Sequence, residues 1–210
     1  MKRRAGKIPP AAVIREAADL LRRGGVVAFP TDTVYGVGAS VFRPAAVRRL
    51  YRLKRRDRSK PLAVLVESVA AAAPLIRGIP RQAKLLISRF WPGPLTLILP
   101  ASPLGRRVTG GRPTIGIRVP GGAVAKALLR ACGVPLAATS ANASGKPAAI
   151  SAAAVRRALG KSVDCVLDGG RTVLAQESTV VDATQLPFRL LREGAAAAAM
   201  KTFLKRRGLL

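Results

Sequence analysis

The chain has 210 residues, 49% of them hydrophobic, which is enough for a sizeable core and excludes disorder throughout. Lys and Arg number 37 against 10 Asp and Glu, a formal net charge of +27 that would draw nucleotides, pyrophosphate or RNA to any cleft, unless the arginines merely spread over a solvated surface. Histidine is absent, so a Ser-His-Asp triad, a Cys-His dyad and the usual zinc motifs are excluded, while Cys132 and Cys165 read as buried free thiols in a reducing compartment.

The opening MKRRAGKIPP, with a basic leader over about 1–8, has no apolar segment behind it. No apolar run approaches the roughly 18 residues of a membrane span, so a cytoplasmic protein without membrane contact is expected. Pro9 and Pro10 open a predicted helix with an apolar stripe of Ala12, Val13, Ala17, Leu20 and Leu21, ending at Gly24 and Gly25. Val26 to Phe29 then reads as a buried strand, and the proline, hydroxyls and glycines of PTDTVYGVG read as a loop beside a ligand. Alternation in that loop places Thr31 and Thr33 on one face and Asp32 on the other.

Pro44 starts a second helix with Val47, Leu50, Tyr51 and Leu53 inward. After it, KRRDRSKP carries Lys54, Arg56, Arg58 and Lys60 at alternate positions, a spacing that either aims several cations at one polyanion or forms a solvated charge run. LAVLV reads as a buried strand, followed by an alanine-rich helix through Ile76 and another from about Pro80 to Phe90. Trp91 and two prolines lead rigidly into a strand over Leu95 to Leu99, and Pro100 to Pro113 reads as a loop.

The strand Thr114 to Val119 contains Arg118, which either pairs with a buried carboxylate or receives an anionic ligand; the scarcity of carboxylates favours the ligand. A helix over Gly121 to Ala131 precedes a strand over Val134 to Thr139 that ends in SANASGKPA, whose small polar side chains suit close approach to phosphate. Ser151 caps a helix to Leu159, and Val163 to Leu167 reads as a strand. Gly160-Lys161-Ser162 mimics the end of a P-loop, but Val155 stands where the first glycine belongs. Two strands, one after Ser178 and Thr179 and one over Phe188 to Leu191, and a tail over about 195–210, helical and basic and covering an edge, complete one α/β domain.

PTDTVYGVG, LKRRDRSKPLAVLV, FWPGPLTLIL, TIGIRVP, SANASGKP, ESTVVD and LREG, in this order from Gly24 to Gly194, resemble the Sua5/YciO/YrdC family. The resemblance implies a single YrdC-like domain over 1–210, with a twisted mixed β-sheet flanked by helices around a concave basic cleft and without the C-terminal Sua5 domain of the long forms. The implied enzyme is a nucleotidyltransferase that makes threonylcarbamoyl-adenylate and pyrophosphate from L-threonine, bicarbonate or CO2, and ATP with Mg2+. Its product feeds the downstream machinery for t6A modification of tRNA, and direct contact with tRNA stays open.

By the same resemblance, Thr33, Arg118, Ala138 and Ser178 would contact threonine or its carbamate. Lys54, Arg56, Lys60, Thr114, Ser140, Asn142 and Arg192 would bind ATP, with Lys54 and Arg56 acting electrostatically in the transfer, and no metal-ligating side chain is implied. The chain departs from the family pattern in having Leu65 and Gly122 in place of common histidines, Thr139 for proline, Ala148 for serine and Glu193 for proline. These departures keep in view a YciO-like or carbamoyl-adenylate-forming relative with another acceptor, and the net charge of +27 keeps in view a non-catalytic RNA-binding module of the same fold.

Overall fold

Pro10 cannot donate to a preceding turn, and α1 (Ala11–Arg23) begins directly after it. In the computed structural model, which describes residues 7–143 and 145–209, this helix buries Ile14, Ala17, Ala18 and Leu21. That set follows the i, i+3, i+4, i+7 rule, whereas Val13, expected inside, lies off the stripe and is 39% exposed. Of the expected basic leader, residues 1–6 lie outside the described residues, as does Leu210 of the tail.

β1 (Val27–Pro30) pairs antiparallel with β2 (Tyr35–Ser40), so the segment expected to be loop as far as Gly38 is a tight connection of residues 31–34 followed by a fully buried strand. The glycines that suggested a loop make room for a ring instead: a Cβ at Gly38 would lie 3.2 Å from both a Phe29 ring atom and Ala137 O. α2 (Pro44–Leu53) starts with Pro44 in its first turn and buries Ala46 and Leu50, with Val47, Tyr51 and Leu53 half-buried.

β3 (Ala63–Leu65), α3 (Val69–Ala72) with a 3-10 turn over residues 73–75, α4 (Arg81–Phe90) and β4 (Leu95–Pro100) follow as expected. The predicted loop from Pro100 to Pro113 contains a helix, α5 (Pro103–Val108), whose cap Ser102 Oγ accepts from Gly105 N at 3.0 Å. Its glycine and arginines hid it, since only six residues of helix give no full hydrophobic period. β5 (Thr114–Arg118), α6 (Ala123–Cys132), β6 (Leu136–Ser140), α7 (Ala152–Leu159), β7 (Cys165–Val166), β8 (Thr179–Asp182), β9 (Arg189–Arg192) and α8 (Ala197–Lys205) complete the elements. Cys132 is buried and free; Cys165, expected buried, is half-exposed because β7 is an edge strand.

These strands form one mixed sheet in the order β7-β1-β2-β6-β3-β5-β4-β8-β9. β1–β7, β3–β5 and β4–β8 are parallel and the other pairs antiparallel. On one face α1 and α6 pack over Val27, Phe29, Leu136 and Ala138; on the other the larger core gathers Val64, Leu97, Leu99, Ile115 and Ile117 beneath α2, α4 and α7. α8 does more than cover an edge: Met200 and Leu204 enter the larger core, and the Phe203 ring meets Phe90 edge-on at 5.6 Å.

Candidate active site

Strand alternation builds the site. Facing the larger core, β3, β4 and β5 present Val64, Leu97 and Ile117; facing the opposite side they present Ala63, Ile98 and Gly116, and β2 and β6 add Gly36 and Ala138. Small side chains lower that floor, and beside the area covered by α1 and α6 a cavity of about 980 Å3 opens over it. Its volume lies at the upper end of the roughly 300–1,000 Å3 usual for small-molecule sites. At Gly116 the clearance is tight, since a Cβ would meet Ile98 Cδ1 at 3.2 Å.

One end is organised by the connection between β1 and β2. Thr31 Oγ1 donates to Val34 O at 2.7 Å and lies 2.8 Å from Thr33 Oγ1, so the two hydroxyls share a side, as alternation predicted. Arg118 then closes on this connection: Nη1 donates to Thr33 Oγ1 at 3.0 Å, Nη2 to Asp32 Oδ1 at 2.7 Å and Nε to Gly93 O at 3.0 Å. Of the two partners weighed for Arg118 in the sequence, the protein carboxylate is present: Asp32 supplies it. Three of the five guanidinium donors are engaged, so two stay available. Burial presses the guanidinium toward its neutral form and Asp32 opposes this.

Gly122 permits the arrangement, because a Cβ there would stand 2.7 Å from Asp32 N and 2.8 Å from Thr31 C. Any side chain at this position would push the connection away from α6. Leu65 lies in the cavity wall beside Arg118, with which it is paired across β3 and β5, and supplies apolar surface.

At the other end the basic loop meets the end of β6. Lys54 is 3% exposed, and its ammonium donates to Ser140 O at 2.8 Å and to both the backbone and side-chain oxygens of Asn142. All three of its protons are spoken for, which makes it a clasp between the two segments. Burial lowers its pKa from 10.5 to about 8, with Glu177 opposing the shift and Arg56 adding to it. Arg56 braces its own loop, donating from Nε to Lys60 O at 3.0 Å and from Nη2 to Pro61 O at 3.1 Å, and keeps three donors.

Of the four alternating cations, Lys54, Arg56 and Lys60 line this cavity, but Arg58 lines a separate, smaller one. Thr114 does not line the cavity; it shares a strand face with Gly116 and Arg118 but sits at the first position of β5, beyond its rim. Thr33, Ala138, Ser140, Asn142, Ser178 and Arg192 all line it.

A third cluster joins these ends. Ser178 Oγ lies 2.9 Å from Thr96 Oγ1 and accepts from Arg192 Nη2 at 2.9 Å, while Arg192 Nη1 meets Glu177 Oε2 at 3.1 Å. Sequence reasoning missed Thr96, Asp32 as a partner, and Lys146, which also lines the cavity. A hydroxyl residue alternating with the core-facing leucines of the strand LTLIL was the available signal for Thr96. Among the described residues no group of three or more His, Cys, Asp and Glu side chains could hold a metal, and Glu177, the one carboxylate lining the cavity, is paired with Arg192.

The fold and site define an α/β domain with a ligand cavity over an uncovered sheet face, lined by hydroxyls, small side chains and basic groups. A family model named for Sua5, YciO and YrdC and described as "Telomere recombination" matches residues 19–194, and the chain belongs to this family. Proteins named threonylcarbamoyl-AMP synthase from Pyrococcus abyssi and Bacillus subtilis are 44% and 46% identical to it, each over 86% of this chain and over 54% and 53% of their own. The crystal structure of P. abyssi Sua5 complexed with L-threonine superposes with a TM-score of 0.84 at 43% identity, over 88% of this chain and 55% of that one. The chain thus spans about half the length of these curated relatives. Among the described residues no helix is long and apolar enough to cross a membrane.

Proposed function

We propose that the chain acts as an L-threonylcarbamoyladenylate synthase, taking L-threonine, CO2 or bicarbonate, and ATP, and releasing pyrophosphate, for the t6A modification of tRNA in the cytoplasm. The observation that carries this reading is one cavity that Thr33, Arg118 and Ala138 line together with Arg56, Lys60, Ser140 and Asn142, with the hydrogen-bonded Ser178 and Arg192 between the two sets. The L-threonine complex of P. abyssi Sua5, at 43% identity, supports threonine as the amino acid taken.

The threonine carboxylate takes the two remaining donors of Arg118. Since Asp32 already balances that charge, binding there rests on oriented hydrogen bonds more than on net attraction. The threonine nitrogen forms a bond to CO2 and loses a proton, giving a carbamate. A carbamate oxygen then bonds to the α-phosphorus while the bond to the leaving pyrophosphate breaks. Arg56, Lys60 and Arg192 face the phosphates and offset the charge that accumulates there, and Lys54 holds Ser140 and Asn142 in place. Positioning and charge are sufficient for such a transfer, so the chain's lack of histidine is no obstacle.

Mg2+ accompanying ATP would offset triphosphate charge, held by phosphate oxygens and water, since the cavity's Glu177 is committed to Arg192. The test is pyrophosphate release from ATP and bicarbonate with a panel of amino acids. Release should depend on threonine and yield the carbamoyl-adenylate. ATP turnover independent of threonine would favour a relative with another acceptor, and no turnover with any acceptor would overturn the synthase reading.

A further inference from the structure

A second cavity, about 360 Å3, lies on the opposite face of the sheet from the first. Val64 and Ala137 line it, whereas their strand neighbours Ala63, Leu65 and Ala138 line the other, and successive side chains of a strand point to opposite faces. Val47 and Tyr51 of α2 and Val108 of α5 supply apolar and aromatic walls. Arg48, Arg58, Arg107 and Arg112 complete the lining, and no carboxylate is among the lining residues.

None of these four arginines forms an ion pair among the described residues. Arg112 donates to Arg58 O at 2.7 Å, and Asp57 of the same loop is engaged by the backbone N and Oγ of Ser59. Four like charges drawn from three separate segments around one apolar hollow repel one another, with Asp57 offsetting Arg112 in part. Guanidinium groups match phosphate oxygens in a planar, two-point fashion, and the phenol ring with the valines offers a surface for a flat heterocycle. The volume is near the lower end for small-molecule sites, which admits one nucleotide-sized molecule.

We infer that this cavity is a second nucleotide site, taking a nucleoside mono- or diphosphate with its base against Tyr51 and its phosphate among Arg48, Arg58, Arg107 and Arg112. Pro61 and Leu62 line both cavities, but this one opens on the other face of the sheet from the proposed ATP site and does not depend on the synthase reading.

Equilibrium dialysis of the full chain with labelled AMP tests it. Arg48 and Arg107 are exposed and make no side-chain contact that the fold needs, so R48A/R107A should keep the wild-type circular dichroism spectrum and melting temperature. The double variant should weaken one class of AMP sites at least about tenfold. K146A/R192A, altered in the other cavity and away from the loop that carries Arg58, should retain that class. Arg107→Glu alone should reproduce the loss. AMP binding indifferent to R48A/R107A and to R107E would overturn the inference, as would binding of inorganic pyrophosphate there without any binding of AMP. Because dialysis reads binding alone, a failure to make any adenylate would leave this result standing.

Discussion

Lys54 illustrates how a residue's role changes once its partners are known. As one of a row of cations it invites assignment to a phosphate, yet its three protons go to Ser140 O and to two oxygens of Asn142. Replacement by methionine should therefore loosen the end of β6, costing about 1–3 kcal/mol in chemical denaturation and raising the KM for ATP. Its pKa of about 8 in the folded chain, against 10.5 ordinarily, adds a pH signature. Below pH 8 the ammonium is present in both states. Between about 8 and 10.5 the unfolded chain holds the extra proton, so this group's contribution to stability rises with pH while the clasp loses a donor and its charge. ATP use should fall through about pH 8 with the circular dichroism spectrum unchanged, and Lys54→Met should flatten that limb of the profile. Arg118 is a different case, because Arg118→Ala strands a mostly buried Asp32. A loss of about 3 kcal/mol is expected, partly restored in D32N/R118M, while threonine dependence stays impaired in both; full recovery of threonine use in the double variant would refute the threonine contact.

At the scale of elements, punctuation by proline and serine was legible: α1, α2 and α7 begin where Pro10, Pro44 and Ser151 indicate. β2 was not, because its glycines mimic a turn while serving a packing need set by Phe29 on the neighbouring strand. Gly38→Ala should cost about 1–3 kcal/mol by overpacking, with F29L/G38A recovering part of it in thermal melts. α5 escaped notice because it is one and a half turns long; Ser102→Ala should lower stability by about 0.5–2 kcal/mol through loss of its cap. The cavity floor is likewise a property of elements. Gly116→Val should leave a folded protein, judged by its melting curve, with at least tenfold lower kcat/KM, since the side chain would rise into the space over β5.

For the whole molecule, a net charge of +27 with seven ion pairs among the described residues leaves most basic groups unmatched. Raising salt from about 0.05 to 0.5 M shortens the screening length severalfold and should raise the KM for ATP more than that for threonine, whose proposed contact Arg118 is buried and balanced by Asp32. The sequence by itself determined the α/β class, the order of most strands and helices, and the chemical types assembled in the site, because side-chain periodicity and turn chemistry act within a few residues. Only the tertiary structure decided which charges are consumed and which stay free. Arg118 finds Asp32 across 86 positions of chain and Lys54 finds Asn142 across 88. Thr114 falls outside the cavity and Arg58 turns to the opposite face of the sheet, since sheet register and strand alternation, not spacing along the chain, fix which side chains share a space.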